Sequence, residues 1–301
     1  MGGTTVSAML EEYGKHLQSL YSRNEIRQLF YTLAEEYLGW QKPTVHLESE
    51  HLLPVETARA FALAMNRLAS GEPVEYITGK SLFNGNIYLV NPGVLIPRPE
   101  TEELCQMIVR NHAADKYKEL SILDIGTGSG CIAIDLALHL PYAKVTAIDH
   151  SGKAVETARL NALTLGAKVH FIQSDMLLPG DFGEPGGFDL VVSNPPYVTL
   201  DEKKLMKANV LDFEPPEAIF VNDKDPFLFY RAIISRSARQ LKRPGWIYLE
   251  INERFGKEIS GILKKNGFEK IEITRDIFGK DRFASAAIQS RIEDISYWYG
   301  E

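Results

Sequence analysis

The chain has 301 residues, 45% hydrophobic and 24% charged, enough for about two domains at roughly 100–200 residues each. A net charge of -7 offers polyanions no long-range attraction, which counts against a nucleic-acid enzyme but leaves room for a local basic groove. No run of about 18 apolar residues occurs, and Met1 to Thr5 carries no basic-then-apolar leader, so neither a membrane helix nor a secretory signal is expected.

The first 75 or so residues predict helices. Met9, Tyr13, Leu17 and Leu20 share one helical face. Ile26, Leu29, Phe30, Leu33, Tyr37 and Leu38 make a second stripe at i, i+3, i+4 spacing. Thr57 to Leu68 is a third, stopped by Gly71 and Pro73. These stripes read as the core of a small bundle. Up to residue 90 there are seven Lys/Arg against ten Asp/Glu, so this region has no basic face for nucleic acid.

Residues 82–98 hold two β-rich runs around Asn/Gly and Asn-Pro-Gly turn signals, and read as a hairpin joining two domains. The expected division is 1–81 helical, 82–98 linking hairpin and 99–301 catalytic.

From residue 99 strands alternate with helices. The expected strands are Ser121–Ile125, Lys144–Asp149, Lys168–Ile172, Phe188–Ser193, Trp246–Ile251, Glu269–Thr274 and Phe283–Ile288, with helices separating the first five. This predicts an α/β domain with a seven-stranded, mostly parallel sheet and an antiparallel pair at its edge. Cys105 and Cys131 form no C-x-x-C pair and read as reduced core thiols, which favours a cytoplasmic protein. The seven histidines show no metal-ligand spacing, so no metal site is expected.

Two places carry chemistry. After the first of these strands comes Gly126-Thr127-Gly128-Ser129-Gly130, then a helix. Alternate glycines allow a tight turn and close approach to a ligand at a helix N-terminus. Asp149, nineteen residues past Gly130, closes the next strand, where a carboxylate can accept from both ribose hydroxyls. As an alternative it is a turn or cap residue, with Ser151 competing for the cap. Asp175 or Met176, after the third strand, stands where an adenine would lie. Together these resemble the class I methyltransferase fold, and that resemblance implies S-adenosylmethionine rather than a nicotinamide cofactor.

The second place is Asn194-Pro195-Pro196-Tyr197, at the end of the fourth strand and across the topological switch point from the first. Two prolines stiffen the backbone and remove two N–H donors. The remaining acceptors, the Asn194 side chain and the Pro195 carbonyl, can hold a planar NH2 group, with Tyr197 stacking on it. Both a nucleobase amino group (adenine N6 or guanine N2) and a glutamine amide satisfy that geometry.

Pro73-Val74-Glu75-Tyr76-Ile77-Thr78-Gly79, Phe83 and Gly93-Val94-Leu95-Ile96-Pro97-Arg98-Pro99-Glu100-Thr101-Glu102 resemble the HemK/PrmC family of protein-(glutamine-N5) methyltransferases, as do Leu249-Glu250-Ile251 and Phe278 to Arg282. The resemblance runs from about Pro73 to the end. It implies methylation of the Gly-Gly-Gln glutamine of peptide chain release factors, with the N-terminal helices and hairpin docking the substrate. It also implies a monomer with no nucleic-acid partner.

Carried over by position, Gly126, Thr127, Gly128, Ser129, Gly130, Asp149, Met176 and Asn194 would bind S-adenosylmethionine, and Asn194, Pro195, Pro196 and Tyr197 the substrate. Arg98, Glu100 and Thr101 either touch cofactor or lock the loop over it, the locking role being favoured. Two departures, Asn222 to Phe227 and Asn252-Glu253-Arg254, are expected to be altered surface loops.

Overall fold

The computed structural model describes residues 3–178, 186–205 and 212–289. The chain forms two compact units, one from the described residues up to Lys80 with Asp212 and Phe213, the other from Ser81 onward.

In the first unit the expected stripes form α1 (Val6–Leu17), α2 (Arg23–Leu38) and α4 (Val55–Ala69). Ser22 starts α2 through a capping box with Glu25, and Gly39 ends it in the left-handed conformation at φ 69°. Tyr13, Phe30, Leu33, Phe61 and Leu68 are all fully buried. Phe30 stacks on Phe61 at 5.1 Å, and the Tyr13 hydroxyl donates to the Phe61 carbonyl at 2.6 Å, so its polar end is satisfied inside the core. Leu20 lies beyond the end of α1 and is 55% exposed, against expectation. Two short helices, α3 (Lys42–Leu47) and α5 (Val74–Thr78), have no periodic signature long enough to announce them.

The expected hairpin is present but shorter. Strands β1 (Lys80–Phe83) and β2 (Asn86–Leu89) turn at Asn84-Gly85, with φ of 43° and 78°. The second β-rich run makes no strand; Val94 and Ile96 are buried in a turn segment instead. The Asn161 side chain takes the place of a neighbouring strand, accepting from the Leu89 N–H and donating to the Leu89 carbonyl.

The main sheet has seven strands in the order β10-β11-β9-β6-β3-β4-β5. These are β3 (Ser121–Ile125), β4 (Lys144–Asp149), β5 (Val169–Gln173), β6 (Phe188–Ser193), β9 (Leu241–Glu250), β10 (Glu269–Arg275) and β11 (Asp281–Ile288), while the short β7 (Val198–Thr199) and β8 (Phe220–Val221) pair with each other in a separate sheet. Strand β11 runs antiparallel to both β9 and β10, so the reversed strand sits one place in from the edge. The remaining pairings are parallel.

Alternate residues feed two cores. Ile122, Val145, Leu190, Val192 and Tyr248 face α6 (Pro99–Asn111), α7 (Cys131–His139) and α8 (Gly152–Leu165). Leu123, Ile148, Val191, Ile247 and Leu249 face the opposite layer. There α10 (Leu228–Gln240) and α11 (Gly256–Lys265) supply the packing; α9 is the single turn Pro216–Ile219 that precedes them. Strands covered on both faces need continuous apolar runs, which is why they were legible. Between β5 and β6 the described residues hold only a turn and no helix. Cys105 and Cys131 are free and buried, and burial pushes the Cys131 thiol up to about 12.

Candidate active site

Order reverses between β3 and β6, whose carboxyl ends lie side by side, Ile125 opposite Ser193. The Ser193 hydroxyl donates to the Ile125 carbonyl at 2.6 Å and ties them. The glycine loop and Asn194 therefore emerge next to one another at the topological switch point. A cleft opens there, lined among others by Gly126, Gly128, Asp149, Met176, Asn194 and Pro196.

The three glycines have different reasons to be glycine, though all have positive φ. A Cβ on Gly126 would come within 3.3 Å of the Met176 methyl, inside the cleft. One on Gly128 would meet nothing within 4 Å, so this backbone faces open space. One on Gly130 would lie 2.9 Å from Ile134 Cδ1 and 3.0 Å from Ala158 Cβ, so Gly130 allows α7 and α8 to pack closely. Thr127, Ser129 and Gly130 do not line the cleft. The Thr127 hydroxyl instead donates to Asp124 at 2.6 Å, and Ser129 is buried. Burial pushes the Asp124 carboxyl up to about 7.

Asp149 lines the cleft with each oxygen held by one backbone N–H, Gly128 on Oδ2 and Ser151 on Oδ1, both at 2.9 Å. The helix cap is Ser151, whose side chain accepts from the Ala154 N–H, so Asp149 is free of that duty. Asp175 also lines the cleft and accepts from the Leu177 N–H at 2.7 Å.

Of the tetrapeptide, Asn194 and Pro196 line the cleft, and Pro195 is buried. Tyr197 is half-buried, and its hydroxyl donates to Glu250 Oε1 at 2.9 Å. Asn194 Nδ2 donates to Thr101 Oγ1 at 3.1 Å, and that hydroxyl donates to Glu250 Oε2 at 2.7 Å. Glu250 is 1% exposed, and burial raises its carboxyl above the usual glutamate range. Burial likewise pushes the Tyr197 phenol well up, so it is a neutral donor.

Arg98 pairs with buried Glu214 at 2.5 Å, and Glu214 also accepts from the Ile96 N–H. Arg98 stands at the N-cap position of α6 with Pro99 next, so Glu100 lies in the first turn and is not the cap. Thr101 is 3% exposed and reaches Asn194. None of the three lines the cleft.

One departure is not a surface loop. Asn252 is 4% exposed and donates to the Tyr197 carbonyl at 3.3 Å and to Glu202 at 2.9 Å. Glu202 in turn accepts from the Thr199 N–H and hydroxyl, so the pair braces the chain leaving the tetrapeptide. Asn222 to Phe227 does form exposed turns, although Phe227 packs on Phe255 at 4.9 Å. Neither Glu250 nor Asn252 is among the site residues expected from sequence. A carboxylate closing the apolar run 246–249, as Glu250 does, was the available signal.

Both parts of the chain resemble known proteins. Residues 8–79 match the PrmC N-terminal domain model, and residues 104–213 match the methyltransferase small domain model. The chain is 41% identical to the release factor glutamine methyltransferase of Flavobacterium psychrophilum, over 90% of this chain and 95% of that one. The same figures hold for the release factor glutamine methyltransferase of Bacteroides thetaiotaomicron. Among solved structures, a T. thermophilus 16S rRNA guanine-N2 methyltransferase, in complex with AdoMet and guanosine, aligns with a TM-score of 0.51 at 17% identity. The alignment covers 70% of this chain and 50% of that one, a likeness of fold alone. With that identity held across nearly the whole of both chains, this protein belongs to the release factor glutamine methyltransferase family.

Proposed function

We propose that the cleft binds S-adenosylmethionine and that the enzyme transfers its methyl group to the side-chain N5 of a glutamine in peptide chain release factors, the Gly-Gly-Gln glutamine. The observation that carries this is the meeting of two sites at the carboxyl ends of β4 and β6, which flank β3 on either side. Asp149, anchored by the Gly128 N–H, is one, and Asn194, held by Thr101, is the other.

The residues present fit the cofactor. Gly128 presents bare backbone to open space, and a side chain on Gly126 would crowd Met176 within the cleft. Each Asp149 oxygen takes one backbone hydrogen bond and His150 Nδ1 lies 3.3 Å from Oδ1, so acceptor capacity for the ribose diol is greatest on Oδ2. Met176 and Asp175 would receive the adenine by ring contact and amino-group acceptance. Thr127, Ser129 and Gly130 act one step back, shaping the loop through Asp124 and the contact of α7 with α8. The cofactor supplies an activated methyl on a sulfonium, so no general base has to act before attack.

An amide nitrogen is a weak nucleophile because its lone pair is delocalised. Asn194 Oδ1 and the Pro195 carbonyl would accept its two N–H groups and hold the nitrogen toward the donor while it pyramidalises. Positioning by fixed acceptors is how this chain lowers the barrier. Pro195 and Pro196 keep those acceptors from moving. Tyr197, its hydroxyl donating to Glu250, would stack on the flat amide.

The helical residues 1–81 would dock the release factor, and Leu47, Leu52, Val55 and Leu63 give them exposed apolar surface. The enzyme would act as a cytoplasmic monomer without a nucleic-acid partner. No helix among the described residues is long and apolar enough to cross a membrane.

The test is mass spectrometry of a release factor after incubation with enzyme and labelled S-adenosylmethionine. Label should appear on the Gly-Gly-Gln glutamine and vanish when that glutamine is changed. Label persisting in the changed factor, or appearing on DNA or RNA instead, would overturn the reading.

A further inference from the structure

We propose that Glu250 and Thr101 are positioning residues that set which end of the Asn194 amide faces the substrate; the proposal rests on the functional reading above. Proton counting fixes the arrangement. A threonine hydroxyl has one proton and two lone pairs, and a side-chain amide has one end that donates and one that accepts. Thr101 Oγ1 lies between Glu250 Oε2 at 2.7 Å and Asn194 Nδ2 at 3.1 Å.

An ionised Glu250 accepts and cannot donate, so it takes the Thr101 proton. Thr101 then has only lone pairs to offer Asn194, and the asparagine must turn its NH2 toward Thr101. That leaves Oδ1, the acceptor, for the cleft that Asn194 lines. With the opposite orientation the NH2 of Asn194 would confront the NH2 of the substrate, donor against donor, and the grip would fail.

The surroundings hold Glu250 in its accepting role. Tyr197 of the tetrapeptide donates to its other oxygen at 2.9 Å. From β11, Arg282 supplies positive charge near the pair, its Nη1 being 3.5 Å from the Tyr197 hydroxyl. Tyr230 of α10 donates to the Glu250 backbone carbonyl at 3.2 Å. Glu100, on the same helix as Thr101, opposes ionisation by its charge, and burial opposes it more. The acid end of the working range is therefore set by this carboxylate. Once protonated it can donate to Thr101, the Thr101 proton can turn to Asn194, and the amide is free to flip.

The experiment compares Thr101→Val, Thr101→Ala and Thr101→Ser in the full-length enzyme, with release factor as substrate and cofactor affinity measured by calorimetry. Valine removes the hydroxyl at nearly constant volume, and alanine removes it with a loss of volume. Both should cut kcat by roughly 100-fold, the scale for losing one preorganised polar group, with KM and cofactor Kd little changed. Serine, which restores the hydroxyl alone, should recover most of kcat. Glu250→Gln, which can donate as well as accept, should lower kcat and abolish the acid limb of its pH profile.

Wild-type kcat in both Thr101→Val and Thr101→Ala would overturn the proposal. So would a Thr101→Ser enzyme as poor as they are, or an unchanged acid limb in Glu250→Gln. A wild type inert toward the release factor would sink the functional reading itself, a result distinguishable from these.

Discussion

The carboxylate of Asp149 accepts from the backbone N–H of Gly128 at 2.9 Å, which ties the end of β4 to the middle of the glycine loop. Together with the Gly126 and Thr127 N–H groups, which both donate to the Ile148 carbonyl at 2.9 Å, it fixes the distance between the two parts of the proposed cofactor site. Neither could be set by its own strand, because the loop after β3 and the end of β4 are independent chain segments joined only laterally through the sheet.

Removing that carboxylate should therefore cost cofactor affinity. Asp149→Ala is expected to weaken binding by about 1–3 kcal/mol, the scale of a hydrogen bond to a charged group. Calorimetric titration with S-adenosylmethionine checks this, and an unchanged Kd would remove Asp149 from the cofactor site.

Asn194→Ala should do the opposite. Its loss deletes one of two amide acceptors and leaves Asp149 and the glycine loop intact. Turnover is expected to fall by about 100-fold or more while the cofactor Kd stays within a few-fold. Should both variants lose affinity alone, the division of roles between the two sites is wrong.

The glycines offer a contrast in cause. Gly130→Ala drives a Cβ to 2.9 Å from Ile134 and 3.0 Å from Ala158 at φ 85°, so overpacking adds to backbone strain. A loss of about 1–3 kcal/mol in denaturant unfolding is expected. Gly128→Ala meets no neighbour, carries only the strain of φ 55°, and should cost less stability but more cofactor affinity. Equal unfolding midpoints for the two would refute the packing explanation.

Asp124 carries a pH signature. Burial raises its folded carboxyl to about 7, above the ordinary 3.8 of an unfolded chain. The folded state therefore holds its proton more tightly. The stability this provides is complete below about pH 4 and is lost as pH rises through about 7. Asp124→Asn keeps an acceptor for the Thr127 hydroxyl and has no charge to bury. Thermal melts should show the variant gaining on the wild type as pH rises from 5 to 8, as follows from that raised carboxyl. A constant difference across that range would show that Asp124 does not titrate there.

Much of this architecture was open to reading from residue order. Strands such as Ser121–Ile125 and Phe188–Ser193 are short apolar runs between turn signals, and such runs have one use when buried on both faces. The Gly126 to Gly130 loop, Asp149 and Asn194 to Tyr197 stood out for the same reason, because unusual residue types at strand ends serve a ligand or a turn. Lys42–Leu47 and Val74–Thr78 were hidden, since a helix of one or two turns has no period to detect. Residues 94–96 have strand composition, yet Val94 and Ile96 are buried in a segment that is not a strand, which composition cannot foresee.

What residue order by itself determined was the local grammar: the helix stripes, the strand runs, the glycine turn and the stiff proline pair. Tertiary structure alone decided which side chains at the site touch one another. Thr101 and Glu250 are separated by 149 positions and Asn194 lies between them in sequence, yet one hydroxyl joins all three. The same holds for Asn252, read as part of a surface loop and found buried under Tyr197. Hydrogen bonds across such separations depend on the register of β6, β9 and β11 and on the seat of α6 against them. Those are properties of the packed sheet and leave no periodic trace in the chain.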